Sequence, residues 1–270
     1  YLAFAAASSL RPAVAQPYAG EGTGLGTFEN PKHPIPAFVL LGAPGGGKGT
    51  ISKKIVDHAA NHGFGSGDKG RGKCSIIHLS VGDLLRAETV KKTPLGIRVQ
   101  EFIDAGKLAP EDLVRQVLEK GIVESVGAAK QNAMSQTAAD ADNMPIIVML
   151  DGYPRNLAQA EYLDTLLPIK QAVSLNVPAK EIVTRVSARW IHPESGRVYN
   201  YLFNPPKVEG VDDITGEKLE RRKDDSPEVV QKRLELFREE TEPILEYYRK
   251  TGNRLAEFNG ESFRKGKVLV

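Results

Sequence analysis

A glycine-rich segment with one lysine, GAPGGGKGT at residues 42–50, carries the clearest chemical pattern in this sequence. Glycines let backbone N–H groups turn inward around phosphate oxygens, and the lysine brings a mobile cation to the β- and γ-phosphates of a nucleotide. A tight glycine turn that binds nothing is the alternative, and the lysine argues against it. The segment therefore predicts a triphosphate-binding loop with contacts from Gly45, Gly46, Gly47, Lys48, Gly49 and Thr50.

The residue after the lysine, Gly49, stands where most such loops have a serine or threonine that binds magnesium directly. Thr50 follows one position later. We therefore expect Mg²⁺ to be held by the nucleotide, by water and by a carboxylate elsewhere, with no direct ligand from the loop. Asp151, which follows an apolar run, is the candidate carboxylate, and capping of the next turn is its alternative role.

Four short apolar runs predict the buried strands that must position these residues: 38–41, 75–79, 146–150 and 172–177. Stretches with helical spacing separate or follow them, at about 82–90, 95–105, 110–125, 156–167, 178–190 and 226–250. This alternation predicts an α/β fold with a parallel sheet and helices on both faces. The glycine loop lies between the first strand and a helix, which is the order that a phosphate loop needs.

Several segments depart from this alternation. Residues 60–73 and 126–145 are polar and rich in glycine or alanine, and we expect surface loops there. Residues 191–225 are rich in turn formers and predict a small appended module. Residues 1–20 hold one arginine and no acidic residue, which is typical of an organellar targeting region, with a disordered linker as the alternative. We expect residues 1–35 to be a targeting remnant or a tail that docks on the core or on a partner chain.

The overall composition excludes several classes of protein. Thirty-six Lys and Arg against 34 Asp and Glu give a net charge of +2, which argues against a protein that coats nucleic acid. The single cysteine, Cys74, excludes an intramolecular disulfide and a cysteine-cluster zinc site. No run of 18 apolar residues is present, so the sequence predicts no transmembrane helix.

Six segments, in this order, together resemble the nucleoside monophosphate kinases, and within them the adenylate kinase family. They are GAPGGGKGT at 42–50, LSVGDLLR at 79–86, DGYPRN at 151–156, RWIHPESGRVYN at 189–200, FNPPKVEGVDDITGEKLERRKDD at 203–225 and PEVVQKRLELFREETEPILEYY at 227–248. The long lid is similar to that of bacterial adenylate kinases and mitochondrial GTP:AMP phosphotransferases. The resemblance implies a P-loop NTPase-type parallel sheet flanked by helices, with inserted AMP-binding helices and a small lid.

The resemblance also implies an activity, which is reversible phosphoryl transfer from Mg-bound ATP or GTP to AMP in adenine nucleotide homeostasis. It implies a monomer that consists of an N-terminal extension at 1–35, a kinase core at 36–79, 110–187 and 226–270, an AMP-binding insert at 80–109 and a lid at 188–225. The alternative is a structural subunit of a larger organellar assembly with incidental or lost activity. That subunit would dock through residues 1–35 and the insertions 60–73 and 126–145.

Arginines suit this reaction because their planar guanidinium groups bind phosphate through two hydrogen bonds. The catalytic residues that the resemblance implies are Lys48, Asp151, Arg155, Arg189, Arg222 and Arg233. Arg185 and Arg189 would contact the triphosphate nucleotide, although Arg185 could instead pair across its own helix. The implied AMP contacts are Arg86, Gly106, Ala109, Gly152, Arg155 and Gln159, with Gln159 at the adenine edge. Asp224 and Asp225 are expected to pair with these arginines when the lid closes.

One position differs from the family, and a set of four positions varies within it. Val81 replaces the usual threonine of the AMP pocket, which predicts weaker AMP binding by about 0.5–1.5 kcal/mol. Some relatives hold zinc in the lid with four cysteines, and the matching positions here are His192, Ser195, Asp212 and Thr215. We expect these four to form a hydrogen-bonded network, with a metal site at His192 as the alternative, so no zinc is expected. The tail and the lid favour a mitochondrial location, with plastid and cytoplasm left open.

Overall fold

A computed structural model of the chain describes residues 35–62, 74–104, 109–136, 145–222 and 225–260. Its elements in chain order are β1 (Ala37–Gly42), α1 (Lys48–His62), β2 (Ser75–Ser80), α2 (Val81–Val90), α3 (Pro94–Asp104), α4 (Glu111–Gln136), β3 (Ile146–Asp151), α5 (Leu157–Leu166), β4 (Ile169–Asn176), α6 (Ala179–Ser187), β5 (Arg189–Ile191), β6 (Val198–Asn200), α7 (Pro227–Leu236), a π-helical segment (Phe237–Thr241), α8 (Glu242–Lys250) and β7 (Leu255–Asn259). Among the described helices, none is long and apolar enough to cross a membrane.

The central sheet has five parallel strands in the order β2-β3-β1-β4-β7, which confirms the predicted α/β fold. Leu40 of β1 lies opposite Asp151 of β3, and Gly42 lies opposite Leu175 of β4. The carboxyl ends of these three strands therefore meet at one edge of the sheet. In open α/β sheets, ligands bind at this edge, where strand order reverses.

The strands read as continuous apolar runs because helices cover both faces of the sheet. On one face, Leu118 of α4, Leu163 of α5 and Ile244 of α8 pack in the main core. On the other face, Ile51 and Ile55 of α1 pack in a second cluster, which also contains Leu40, Met149, Val173 and Leu175. A sheet buried in this way holds the loops at its carboxyl edge in fixed positions.

Polar caps begin three helices that carry predicted site residues. Ser80 Oγ accepts the Asp83 N–H at 3.4 Å at the start of α2, and Asn156 Oδ1 accepts the Gln159 N–H at 2.9 Å at the start of α5. Ser226 Oγ accepts the Val229 N–H at 3.4 Å at the start of α7. Each cap fixes the residue at which its helix begins, and thus the direction in which the following side chains leave it.

Two of the predicted loops begin later than expected. Helix α4 continues to Gln136, so the loop predicted at 126–145 is wrong for residues 126–136, and α1 continues to His62. Residues 127–131 are mostly alanine, lysine and glutamine. These residue types favour a helix, although their order shows no apolar periodicity. The preceding Val126 is buried in the core. Residues 63–73 and 137–144 lie outside the described residues.

Strand β7 at the sheet edge was not predicted from the sequence. It pairs with β4, with Phe258 opposite Leu175, while Glu257 and Asn259 are exposed. Two antiparallel strands, β5 and β6, form a small second sheet within residues 188–225, the predicted lid, with Trp190 opposite Tyr199. Short edge strands with polar residues lack the apolar run that marks a buried strand, which explains why they were missed.

Helices α2 and α3 pack against each other at very short distance. A Cβ atom placed on Gly96 of α3 would lie 1.9 Å from the carbonyl oxygen of Glu88 in α2. The buried Glu88 side chain accepts a hydrogen bond from Lys120 Nζ of α4 at 2.7 Å and another from the Thr93 hydroxyl. Residues 81–104 are thereby held together as a compact helical pair on α4.

Candidate active site

The glycine loop at 43–47 connects β1 to α1, as its sequence predicts. Gly45 has a φ of +77° and Gly47 a φ of +92°, a backbone conformation that residues with a side chain rarely adopt. A Cβ on Gly45 would also lie 2.4 Å from Cγ2 of Val186 in α6. The loop therefore needs glycine at this position both for its backbone conformation and for its direct packing on α6.

Lys48 begins α1, and its ammonium group bends back over the loop. Nζ donates hydrogen bonds to the carbonyl oxygens of Gly42 at 2.9 Å and Ala43 at 3.2 Å. Burial lowers the pKa of Lys48, and the positive charges of nearby arginines lower it further, whereas the Asp151 carboxylate raises it. These arginines are Arg155, Arg233 and Arg189.

Arg155, which follows β3, belongs to the same cluster of charges. Its Nε donates to the carbonyl oxygen of Gly152 at 2.9 Å, and it keeps solvent-exposed surface. The protein atoms around it lower its pKa, as do the positive charges of Arg233 and Arg86, while Asp151 raises it. Several cations thus act on one another, and the carboxylates of Asp151 and Glu240 offset only part of this repulsion at Arg155. Such repulsion destabilises the unliganded site and is relieved by an anion with several charges.

Arg185 and Arg189 donate hydrogen bonds to carboxylate or carbonyl oxygens of the protein. Arg189 forms a two-point ion pair with Asp225, with Nε donating to Oδ2 at 2.8 Å. Arg185 pairs with Glu181 of its own helix at 3.4 Å, which is the alternative that the sequence left open. Arg185 also donates to the carbonyl oxygens of Gly46 at 3.3 Å and Gly260 at 2.9 Å. Its own carbonyl oxygen accepts a hydrogen bond from Asn200 Nδ2 of β6 at 2.8 Å.

The charges of Arg233 and Arg222, the remaining predicted catalytic arginines, act on other predicted site residues or on their partners. Arg233 of α7 contributes positive charge to both Lys48 and Arg155. The charge of Arg222 reaches Asp83, which is ion-paired with Arg86 of α2. Thr50 is exposed in the first turn of α1. Asp224 lies outside the described residues.

The predicted AMP side is built by the start of α2, the turn after β3 and the start of α5. Gly152 has a φ of +80°, which directs the chain from β3 towards Arg155. Ala109 is half-buried before α4, and Gly106 lies outside the described residues. Val81 is buried in the main core, so its side chain contributes to packing.

Gln159 is buried at 7% exposure, and both ends of its amide are bonded to protein groups. Oε1 accepts the Arg155 N–H at 2.7 Å, and Nε2 donates to Glu111 Oε2 at 2.6 Å. Glu111 was not predicted from the sequence. Its position one residue after Pro110, in the first turn of α4, is an ordinary one for an acidic residue and gave no signal of this contact.

The four predicted lid residues are joined by hydrogen bonds. His192 Nδ1 and Ser195 Oγ are 2.7 Å apart, and Thr215 Oγ1 donates to Asp212 Oδ2 at 3.1 Å. Thr215 Oγ1 also lies 3.4 Å from His192 Nε2. Three further side chains complete the network: Arg197 and Tyr199, which bond Asp212, and Glu217, which bonds His192. The first two lie within the RWIHPESGRVYN segment, so the motif itself could have pointed to them.

Replacing Asp212 by asparagine is expected to lower the urea midpoint of unfolding at pH 7, because Arg197 and Tyr199 lose a buried anionic acceptor. Hydrogen bonds from Arg197 hold the pKa of Asp212 well below its ordinary value of 3.8, although burial opposes them. The carboxylate therefore contributes its full stability above that value and loses it as the pH falls further. The difference between the parent chain and D212N should be constant from pH 7 to about 5 and shrink below about 4.

The neighbouring Asp213 provides the control for this measurement. Asp213 is exposed, and its Oδ1 accepts the Lys207 N–H at 2.7 Å, a bond that asparagine can also accept. Urea titrations of D213N should therefore match the parent chain at every pH. A D212N difference that does not shrink in acid would show that the carboxylate charge contributes nothing.

Comparison with known proteins identifies this arrangement. A family model described as adenylate kinase matches residues 40–253. The chain belongs to the adenylate kinase family. It is 41% identical over 227 residues to the mitochondrial GTP:AMP phosphotransferase of Drosophila melanogaster, covering 84% of this chain and 89% of the relative. It is 40% identical over 220 residues to an adenylate kinase of Vanderwaltozyma polyspora, covering 80% and 85%. It is 37% identical over 222 residues to adenylate kinase 4 of Oryza sativa subsp. japonica, covering 80% and 78%.

As an adenylate kinase, the chain is an enzyme that binds nucleotides and transfers a phosphoryl group between a nucleoside triphosphate and AMP. The names of these relatives describe enzymes, and they give no support to the structural-subunit alternative. The six short segments of the sequence resemble the same family, and the family model matches from residue 40 to residue 253.

Adenylate kinases use their nucleotide with Mg²⁺, and the residues at the carboxyl edge of the sheet fit a hydrated ion. Asp151 ends β3 beside the phosphate loop, and a carboxylate with water molecules is the ligand set that Mg²⁺ prefers. Within the described ranges, no group of three or more His, Cys, Asp or Glu side chains is arranged to hold a metal. His78 Nε2, missed from the sequence, lies 3.9 Å from Asp151 Oδ2.

Proposed function

We propose that this adenylate kinase transfers the γ-phosphoryl group of Mg-bound GTP or ATP to AMP at the carboxyl edge of β1 and β3, giving NDP and ADP. The observation that carries the proposal is the charge cluster at the loop. There, Arg155, Arg189 and Arg233 all act on the half-buried ammonium of Lys48, and the carboxylate of Asp151 opposes them. Two nucleotides whose phosphates meet in line would neutralise these cations.

In the proposed reaction, an oxygen of the AMP phosphate attacks the γ-phosphorus, and the bond from that phosphorus to the β–γ bridging oxygen breaks. Lys48 leaves the carbonyl oxygens of Gly42 and Ala43 and binds the β- and γ-phosphate oxygens. The loop N–H groups hold the β-phosphate, and Arg155 and Arg233 stabilise the negative charge on the transferred group. Mg²⁺, held through water by Asp151, would neutralise charge on the β- and γ-phosphates.

The AMP end of the site is proposed to lie between α2 and α5. Arg86 and Arg155 would bind the phosphate of AMP, and Gln159 would face the adenine. Arg86 is ion-paired with Asp83 on its own helix and keeps exposed surface, so its guanidinium is accessible to an incoming phosphate. Val81 packs in the core, and any cost to AMP binding at this position would act through the backbone of α2.

The proposed division of the chain assigns a separate role to each part. The proposed kinase core comprises residues 36–79, 110–187 and 226–270. The proposed AMP-binding insert is 80–109, and the proposed lid is 188–225. The lid would bring Arg189 and Arg222 over the triphosphate and exclude water, which prevents hydrolysis of the γ-phosphate. The ion pair between Arg189 and Asp225 connects the two ends of this lid.

Donor base and compartment are inferred from the relatives. The name of the Drosophila relative states that it uses GTP, transfers to AMP and is mitochondrial. Its 41% identity to this chain supports GTP as a donor and a mitochondrial location. The acid-free composition of residues 1–20 supports the same location. The proposed docking segments are residues 1–35 and the insertions at 60–73 and 126–145.

A coupled assay on the purified full chain tests the proposed function. ADP should form from AMP with GTP or ATP in the presence of Mg²⁺. A parallel assay with ITP as donor shows which groups of the donor base the enzyme recognises. Chelation of Mg²⁺ should lower the rate by at least about tenfold, because charge on the transferred group is no longer neutralised. A control without AMP measures hydrolysis of the donor. Failure to phosphorylate AMP from all three donors would refute the proposal.

A further inference from the structure

Glu111, in the first turn of α4, connects the predicted adenine-facing residue to the rest of the core. Its Oε1 accepts hydrogen bonds from Arg115 Nε at 3.0 Å and from the Tyr153 hydroxyl at 3.4 Å. Its Oε2 accepts the bond from Gln159 Nε2 at 2.6 Å. A carboxylate accepts hydrogen bonds and donates none, so it can bond only the amino end of the Gln159 amide.

The opposite end of the same amide faces a group of opposite chemistry. Gln159 Oε1 accepts the backbone N–H of Arg155 at 2.7 Å, and a backbone N–H can only donate. If the amide turned over, its NH₂ would face the N–H of Arg155 and its oxygen would face the carboxylate of Glu111. Both contacts would then be mismatched in a site where Gln159 is 7% exposed. The structure thus fixes one orientation of the amide.

An amide held in one orientation distinguishes purines by the group at position 6. Gln159 keeps a second lone pair on Oε1 and a second hydrogen on Nε2 for a ligand. Adenine presents a donor at its 6-amino group beside an acceptor at N1. A 6-oxo purine presents an acceptor at O6 beside a donor at N1. The two edges have opposite order, so a fixed amide matches only one of them.

We propose that Glu111 is a positioning residue that fixes the orientation of the Gln159 amide and thereby selects a 6-amino over a 6-oxo purine nucleotide as phosphoryl acceptor. The inference rests on the proposed function, in which Gln159 faces the base of the acceptor nucleotide. Glu111 acts only through Gln159 and makes no contact with the reacting atoms.

The test compares AMP with IMP, which differ at position 6 of the base, as acceptors for E111Q and the parent chain. A glutamine at 111 can present either oxygen or NH₂ to Gln159, so a turned amide would meet one mismatched partner, the Arg155 N–H, in place of two. We expect the ratio of kcat/KM for AMP to that for IMP to fall about tenfold in E111Q. The change should appear in KM, chiefly as a lower KM for IMP, while kcat changes by less than about twofold, because only binding of the base is affected.

Arg115 offers a matched control. It is the ion-pair partner of Glu111, and its guanidinium lies 3.9 Å from the centre of the Tyr162 ring. R115M removes this ion pair and leaves the bond between Glu111 and Gln159 in place. Its AMP:IMP ratio should stay within about twofold of the parent chain. A tenfold fall in R115M would show that the effect comes from the ion pair, which would overturn the proposal.

A second background separates positioning from a loss of fold. In chains that carry Q159L, the E111Q substitution should leave the AMP:IMP ratio unchanged, because Glu111 then has no amide to orient. A general structural defect would shift the kinetics in both backgrounds. An unchanged ratio for E111Q in the parent background would overturn the inference while AMP phosphorylation stands. Absence of AMP phosphorylation in the parent chain would instead refute the proposed function, and the inference with it.

Discussion

Replacing Lys48 by alanine is expected to lower kcat for AMP phosphorylation by about a thousandfold. The ammonium is the only mobile cation that the loop itself provides, and its two contacts with Gly42 and Ala43 show that it can reach across the loop. Without it, negative charge that develops on the β- and γ-phosphate oxygens is left with less stabilisation. Initial rates at saturating nucleotide, for K48A and the parent chain, measure this directly.

The fold should survive the K48A substitution. The pKa of Lys48 is lowered by burial and by three arginines, so removing the ammonium removes repulsion together with two hydrogen bonds. We expect the free energy of unfolding to change by no more than about 1 kcal/mol. Lys54, an exposed lysine on the same helix, is the matched control, and K54A should keep full activity. Full activity in K48A would contradict the role of the phosphate loop.

Replacing Gly96 by alanine is expected to lower the free energy of unfolding by about 3 kcal/mol. The new methyl group would lie 1.9 Å from the Glu88 carbonyl oxygen and 2.3 Å from its carbon. Because these are backbone atoms, no side-chain rotation can make room, and α2 and α3 must separate. Arg86 lies on α2, so the KM for AMP should rise as well. Urea unfolding and AMP kinetics on the same preparation test both effects.

Gly127 supplies a matched control within another helix. A Cβ at this position meets nothing within 4 Å, and the residue lies inside α4. G127A should therefore leave the enzyme unharmed or stabilise it by about 0.5–1 kcal/mol, since alanine favours helix over glycine. Equal stability of G96A and G127A would show that the helix pair can move apart at little cost.

The phosphate loop and its position could be predicted from the sequence because their signals are local. One apolar run, one glycine turn and one helix follow each other within residues 37–62, and Asp151 directly ends the neighbouring strand. The register of β1 and β3 then brings the loop and Asp151 together, because the carboxyl ends of parallel strands lie at the same edge of the sheet. Arg155 is near this edge for the same reason, because it follows β3 closely.

Other features depend on packing between distant segments and carried no such signal. The contact of Glu111 with Gln159 joins residues 48 positions apart and requires α4 to pack beside the turn after β3. Strand β7 is defined by its pairing with β4, since its own residues alternate with exposed Glu257 and Asn259. The end of α4 is helical through the propensity of its residues, which an analysis of apolar periodicity does not detect.

Arg185 of helix α6 connects the phosphate loop to the lid. The Arg185 side chain holds the Gly46 carbonyl, while its backbone oxygen holds Asn200 of β6. Val186, the next residue, fills the space beside Gly45. A rotation of α6 would therefore displace the phosphate loop and the base of the lid together. Exchanging the lid for that of a relative would in consequence alter donor binding unless the contact between Arg185 and Asn200 is carried along with it.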